Sequence, residues 1–394
     1  MSTMNETPRS GRLHIGIFGK RNAGKSSLLN AITNQDAAVV SSIKGTTTDP
    51  VFKAMELLPI GPVVFIDTPG IDDEGQLGEL RTKKARKILR QTDVALLVVD
   101  SAVGLAGEDK ELLGTFEKMH LPHLIVYNKS DLLGADNQSG NDIRVSASTG
   151  ENIPQLKERI AQLGRQKEDS RRLVADMLAP GDVVLVVVPI DKAAPKGRLI
   201  LPQQQVLRDI LDADAISVVV DPARVSDVLG KLSLPPKLVI TDSQAFNEVS
   251  KVTPKSVGLT SFSILMARYK GVLDQAVAGA EAIDSLKDSD KVLVCEACTH
   301  NRQCGDIGTV KIPAWIKKRT GATPTYEFTS GGDFPDELSG FNLVIHCGGC
   351  MLGSREIAYR HHAAAEASLP ITNYGVAISH MHGILQRCIA PMYS

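Results

Sequence analysis

Two groups of residues in this 394-residue chain have the types and spacing to do chemistry. The first is "GKRNAGKS", Gly19 to Ser26, which fits G-x-x-x-x-G-K-[ST]. Gly19 and Gly24 let the backbone turn tightly, so the N–H groups of the stretch from Asn22 and Ala23 to Ser27 can face phosphate oxygens. Lys25 is a compact cation for the β- and γ-phosphates, and the Ser26 hydroxyl is suited to Mg2+. The second group is "VLVCEACTHNRQC", Val292 to Cys304, with "IHCGGC", Ile345 to Cys350; together they hold five of the six cysteines. Soft thiolates at such spacing bind zinc or iron–sulfur clusters, or pair as disulfides.

These residues need elements to position them. The strand "LHIGIF" precedes the glycine loop and the helical "SLLNAIT" follows, so a helix N-terminus adds its positive end to the anion site. Three further stretches end apolar strands or follow them in order. In "DTPG", Asp67 is placed to hold Mg2+ through water and the Gly70 N–H to approach the γ-phosphate. In "NKSD", Asn128, Lys129 and Asp131 form a base-reading turn. The Asp131 carboxylate matches the N1–H and N2–H2 edge of guanine, a donor pair that adenine lacks. In "SAS", Ser146 and Ala147 can offer a backbone N–H to guanine O6. The combination selects GTP over ATP.

The expected fold class is α/β: a P-loop GTPase domain with a parallel sheet, followed by two smaller α/β domains. Strands "LHIGIFG", "VVFIDTPG", "DVALLVVDS" and "HLIVYNKSD" alternate with helical stretches over residues 1–165. A charge-dense segment, 166–180, ends in Pro180-Gly181 and reads as a helical linker. The middle domain, 181–285, has strands "VVLVVVPI", "AISVVVD", "KLVITDS" and "VGLTSFSIL"; Asp191-Lys192 reads as a surface turn. The last domain, 286–394, has strands "KVLVCEAC", "PTYEFTS" and "FNLVIHCGGC". No repeat of 20–50 residues stands out. A net charge of −1 gives no global field toward nucleic acid or an anionic membrane, and aromatics at 4% supply few stacking platforms for RNA. The polar "MSTMNETPRSGR" has no secretory h-region, and the longest apolar runs are too short to span a membrane. The expected compartment is the reducing cytoplasm, which disfavours a disulfide framework.

For the cysteines, two patterns compete. Cys295-x-x-Cys298 with Cys347-x-x-Cys350 is a four-thiolate zinc pattern. Cys295, however, continues the run "KVLV" and reads as strand core. Cys298 and Cys347 lie at or beyond strand ends, where ligands gather on open α/β sheets. The better fit is C-x-H…H-C-x-x-C: Cys298, His300, His346, Cys347 and Cys350, with 45 residues between the histidines. His300 and His346 are either ligands or hydrogen-bonding neighbours of the thiolates. Cys304 reads as a spare thiol and Cys388 as core, whereas His361, His362, His380 and His382 read as surface or capping residues.

Over residues 12–163 the motifs resemble GTPases of the Era and MnmE type. That resemblance makes "GTTTD", Gly45 to Asp49, switch I, with Thr47 as a Mg2+ ligand, and assigns Asn22 to a K+ near the phosphates. Lys25, Thr47 and Gly70 would be the catalytic set. Ile71 stands where Ras-like enzymes carry a water-orienting glutamine, so intrinsic hydrolysis should be slow unless K+ or a partner completes the site. Together with the cysteine–histidine signature, the motif order is similar to that of the FeFe-hydrogenase maturation GTPases, the HydF family, over nearly the whole chain. That family resemblance implies a 4Fe-4S cluster on Cys298, Cys347 and Cys350, its fourth iron bound by His300 or His346 or left open. It also implies a homodimer formed by the middle domain. The implied role is a scaffold that carries a diiron precursor to apo FeFe-hydrogenase, working with the other maturation proteins. The alternative is an Era/MnmE-like GTPase of RNA or ribosome biology with a structural zinc domain.

Overall fold

The computed structural model describes residues 11–33, 41–43, 51–58, 60–68, 87–132, 142–165, 173–190, 199–297 and 306–393. Thr47, Gly70, Ile71, Asp191, Lys192, Cys298, His300 and Cys304 lie outside them, as do residues 166–172 of the expected linker. The chain forms two compact units, 1–170 and 171–394.

The first unit holds a seven-stranded sheet of β1 (Leu13–Phe18), β2 (Ser41–Ile43), β3 (Val51–Leu57), β4 (Gly61–Asp67), β5 (Val94–Asp100), β6 (His123–Asn128) and β7 (Asp142–Arg144). Their order is β2-β3-β4-β1-β5-β6-β7. The five strands from β4 to β7 in that order pair in parallel, while β2 and β3 add an antiparallel edge to the all-parallel expectation. The unbroken apolar run of β5 is explained by burial on both faces. Val94, Leu96 and Val98 enter one core, with Leu28, Leu29 and Ile160. Ala95, Leu97 and Val99 enter the other, with Phe18 and Phe116. Parallel pairing brings the carboxyl ends of β1, β4 and β6 to one edge, so the glycine loop, Asp67 and Asn128 meet there.

The second unit holds two four-stranded parallel sheets. The first comprises β8 (Val183–Val187), β9 (Ile216–Val220), β10 (Leu238–Thr241) and β11 (Gly258–Ser261), in the order β11-β10-β8-β9. The second comprises β12 (Lys291–Glu296), β13 (Thr325–Ser330), β14 (Leu343–His346) and β15 (Ile371–Asn373), in the order β13-β12-β14-β15. Both sheets follow one plan: the first strand is flanked by the second and third, with the fourth beyond the third. The closing stretches align without a gap, though with few identities, "TSFSILMARYKGVL" from Thr260 and "TNYGVAISHMHGIL" from Thr372. Each starts with a capping side chain, Ser261 accepting from the Ile264 N–H and Asn373 from the Val376 N–H. Each ends its helix, Phe262–Tyr269 or Tyr374–Met381, shortly before a left-handed glycine, Gly271 or Gly383.

Three sequence expectations are revised here. "VGLTSFSIL" is not one strand: β11 stops at Ser261, whose hydroxyl caps the next helix. Leu173 and Val174 are not linker; they are buried with Val184, Phe262 and Leu265, and Arg268 pairs with Asp176 beside them. The middle and last α/β segments also share a core, in which Leu185 and Leu259 join Val292, Leu343 and Val376. Among the described residues no helix is long and apolar enough to cross a membrane.

Candidate functional site

In the first unit the loop after β1 adopts conformations that its glycines permit. Gly24 has φ 89°, and a Cβ there would sit 2.2 Å from the Asn128 side-chain nitrogen. A side chain at this position would therefore be both strained and blocked. Lys25 opens the helix Lys25–Thr33 and is buried; its Nζ donates to the carbonyls of Gly19 (2.7 Å) and Lys20 (2.6 Å). The Ser26 hydroxyl donates to Asp67 Oδ2 at 3.2 Å. Burial raises the Asp67 carboxyl above the usual carboxylate range, and the Ser26 bond and Lys25 charge oppose that rise. Two of the three predicted Mg2+ residues, Ser26 and Asp67, are thus adjacent, with the Lys25 cation beside them. Asn22 has φ 63° in the same loop.

The base-reading residues form a second cluster, and Asn128 joins it to the first. Its Nδ2 donates to the carbonyls of Ala23 (3.2 Å) and Gly24 (3.4 Å), while its Oδ1 accepts the Ala147 N–H at 3.1 Å. One fully buried amide therefore ties the phosphate loop to the "SAS" loop. The Ala147 N–H, predicted to face guanine O6, is spent on this tie, and the Ser146 N–H donates to the Glu151 carbonyl. Ser146 Oγ donates to Asp131 at 2.6 Å, which holds that exposed carboxylate below its ordinary range and so ionised. Lys129, with φ 65°, turns its ammonium to Asp100 at 2.6 Å.

In the second unit the described metal candidates, His346, Cys347 and Cys350, lie at and just beyond the carboxyl end of β14, beside that of β12. Cys295 pairs in register with His346, and the Cys347 N–H donates to the Cys295 carbonyl at 2.8 Å. Cys295 is buried inside β12, where burial pushes its thiol up to about 11. Cys347 Sγ accepts the N–H of Ala297 (3.0 Å) and of Gly349 (3.4 Å). Gly349 has φ 64° and bends the turn to Cys350; a Cβ there would lie 2.7 Å from Ile357. Two thiols on one tight turn, one of them receiving two backbone N–H bonds, form a donor set that fits a thiolate-bound metal centre. Among the described residues no three His, Cys, Asp or Glu side chains converge as ligands would.

His346 is placed differently from its ligand expectation. Its Nε2 lies 2.9 Å from Arg360, which can only donate, so Nε2 is the acceptor and Nδ1 carries the proton. That proton goes to the Cys347 carbonyl at 2.7 Å. Both ring nitrogens are occupied, and the ring orients the cysteine turn instead of offering a lone pair. Arg360, 0% exposed, also bonds Glu356 and the Gly331 carbonyl. Neither Arg360 nor Lys270, whose ammonium lies under the turn, figured among the sequence candidates. Glu356 and Arg360 sit four apart on a helix, which in sequence reads as a surface pair.

His361, expected at the surface, is 3% exposed, and its Nδ1 meets Gln275 Oε1 at 3.2 Å. Burial, with His346 nearby, pushes its pKa down from 6.5 to about 3. As pH falls below 6.5 the unfolded chain takes up this proton first, so stability is full above that value and is lost toward pH 3. Between pH 7 and 5 the loss assigned to His361 is about 2 kcal/mol. Denaturant titrations of wild type and His361→Gln, followed by Trp315 fluorescence, should show the flatter acid slope in the variant. Identical slopes would overturn the assignment. Trp315 is the only tryptophan in the chain and packs against the second unit's core.

The fold and the first site define a P-loop GTPase domain followed by a two-sheet α/β unit. Comparisons with known proteins divide the chain in the same way. Residues 14–129 match the family described as 50S ribosome-binding GTPase, residues 173–271 the Hydrogen maturase F dimerization domain, and residues 274–391 the Hydrogen maturase F tetramerization domain. The two maturase matches cover more than half of the sequence, and the chain belongs to the hydrogen maturase F family, the hydrogenase maturation GTPases. A GTPase Der of Wolinella succinogenes is 34% identical over 183 residues, 42% of this chain and 38% of that protein. A tRNA modification GTPase MnmE of Lactococcus lactis is 36% identical over 157 residues, 38% of this chain and 33% of that protein. The chain thus spans about a third of the length of these curated relatives. Among solved structures, an Aquifex aeolicus Era variant bound to GDP.AlF4- is 19% identical, covers 61% of this chain and 97% of its own, and has a TM-score of 0.33.

Proposed function

We propose that this protein is a GTP-hydrolysing scaffold. It binds a 4Fe-4S cluster on Cys298, Cys347 and Cys350 and carries a diiron precursor to apo FeFe-hydrogenase. The observation that carries this reading is the Cys347–Cys350 turn, a thiol pair in which the Cys347 sulfur accepts two backbone N–H groups at the carboxyl edge of a parallel sheet, in a chain of maturase domains. Ser26, Thr47 and Asp67 would hold Mg2+, Asn22 a K+, and Asp131 the guanine edge; Lys25 and Gly70 would stabilise charge on the γ-phosphate. A bound cluster would supply an iron site for the precursor, while His346 and the backbone N–H groups keep the thiolates in place. Slow turnover, switched by partners or K+, is consistent with Ile71 after "DTPG". Dimerisation through the first sheet of the second unit is supported by its edge strand β9, where Ile216 (53%) and Val219 (47%) are exposed on an apolar, β-branched strand.

The test is anaerobic purification with iron, sulfide and zinc analysis. Near four irons and four sulfides per chain are expected. Zinc at one per chain without iron would sink this reading and favour the RNA-linked GTPase with a structural zinc.

A further inference from the structure

Lys270 caps the helix Phe262–Tyr269, within the stretch that matches the dimerization domain. Its ammonium nevertheless lies in the cysteine turn of the other sheet. The residue is 5% exposed, and its Nζ donates to the carbonyls of Gly349 and, at 2.9 Å, Leu352. The left-handed Gly271 that follows stops the helix at this point. A buried ammonium is costly unless negative charge lies near. Among the described residues no carboxylate pairs with it; both of its hydrogen bonds go to carbonyls of the turn. Burial pushes its pKa down to about 8. The turn whose two carbonyls hold this ammonium is the one that carries the Cys347 and Cys350 thiols.

We propose that Lys270 is the positioning residue and buried counter-charge of the cysteine turn: it clamps residues 349–352 through two carbonyls and favours the reduced, more negative state of a metal centre held there. This rests on the iron–sulfur reading above. One-electron reduction of a thiolate-bound cluster adds a negative charge, and a fixed cation in a low-dielectric surrounding stabilises that product more than the oxidised form. The electron comes from an external reductant, and no proton moves. The same contact makes the first sheet's closing helix a direct support of the metal turn, so displacement of that helix would act on the site through Lys270.

The test uses the full chain, reconstituted anaerobically with iron and sulfide and titrated with dithionite under electron paramagnetic resonance. Lys270→Gln and Lys270→Met should lower the reduced-to-oxidised ratio at fixed potential by about tenfold, about 59 mV for a one-electron couple. Lys270→Arg, which keeps the charge, should stay near wild type. Loss of iron from Gln and Met but not from Arg would support the same conclusion through loading. Trp315 fluorescence reports whether each variant is folded, and the Gln variant keeps the test open where Met does not fold. Wild-type potential and iron content in Gln would overturn the counter-charge, as would loss of iron from all three folded variants. A wild-type chain that takes up no iron would overturn the cluster reading itself.

Discussion

Lys25→Ala is expected to lower GTP turnover on the order of 10²–10³-fold, the usual loss when one preorganised charge on a transferring phosphoryl group is removed. Lys25 sits at the N-terminus of the helix Lys25–Thr33 with its ammonium held over the Gly19 and Lys20 carbonyls. The ammonium is thus held at the loop, and little reorganisation is needed to meet β- and γ-oxygens. The residue before Lys25, Gly24, holds φ 89°, a turn that a side chain would strain. The variant should keep the iron content and the Trp315 unfolding transition of wild type. Units 1–170 and 171–394 each have their own core, and Trp315 reports only on the second. Phosphate release under saturating GTP and Mg2+ measures the effect. Activity within tenfold of wild type would remove Lys25 from the catalytic set, and loss of iron would show that the units are not separable.

How much of this site could be read from the chain depended on how far each interaction reaches. The glycine loop, "DTPG" and "NKSD" are local patterns bound to strand ends, so periodicity and spacing located them. The role of Asn128 is not local. Its amide spans to Ala23 and Gly24, more than 100 positions away beyond β1, and to Ala147 beyond β7; the parallel order β1-β5-β6-β7 brings them together. Cys347 and Cys350 were legible by spacing, but Lys270 lies on another sheet's closing helix and carries no motif. His346 shows the same limit: beside a cysteine its ring reads equally as ligand or support, and only the buried guanidinium of Arg360 decides between them. The common plan of the two sheets escaped because its spacing is far beyond 50 residues and what matches is apolar rhythm and capping, with few identities. In that plan "KLVITD" corresponds to "NLVIHC", so Asp242, which caps a turn through the Gln244 N–H, stands where Cys347 opens the cysteine turn. One scaffold thus carries a capping carboxylate in one copy and a thiol in the other.

Arg360→Met is expected to destabilise the second unit by about 3–5 kcal/mol, because it leaves a buried carboxylate uncompensated. Glu356 is 2% exposed, and one of its oxygens has no hydrogen-bond partner among the described residues. Arg360 is its cation, and also the donor that fixes the His346 tautomer and closes on the Gly331 carbonyl over the Phe334 ring. Replacing both charges, Glu356→Leu with Arg360→Met, should return most of that loss, since apolar pairs of similar volume often substitute for buried ion pairs without penalty. The double variant therefore separates stability from site geometry. It folds, yet His346 Nε2 has lost its donor, and the ring is free to turn away from the Cys347 carbonyl. Metal affinity in the folded double variant should fall about 10–100-fold, the usual cost of losing an orienting partner around a metal. Urea unfolding of the apo chain by Trp315 fluorescence measures the first effect, and competition with a chelator the second. A single variant that loses less than 1 kcal/mol would show that the pair is not held in the core. A double variant with wild-type affinity would show that His346 needs no help from Arg360 to shape the turn.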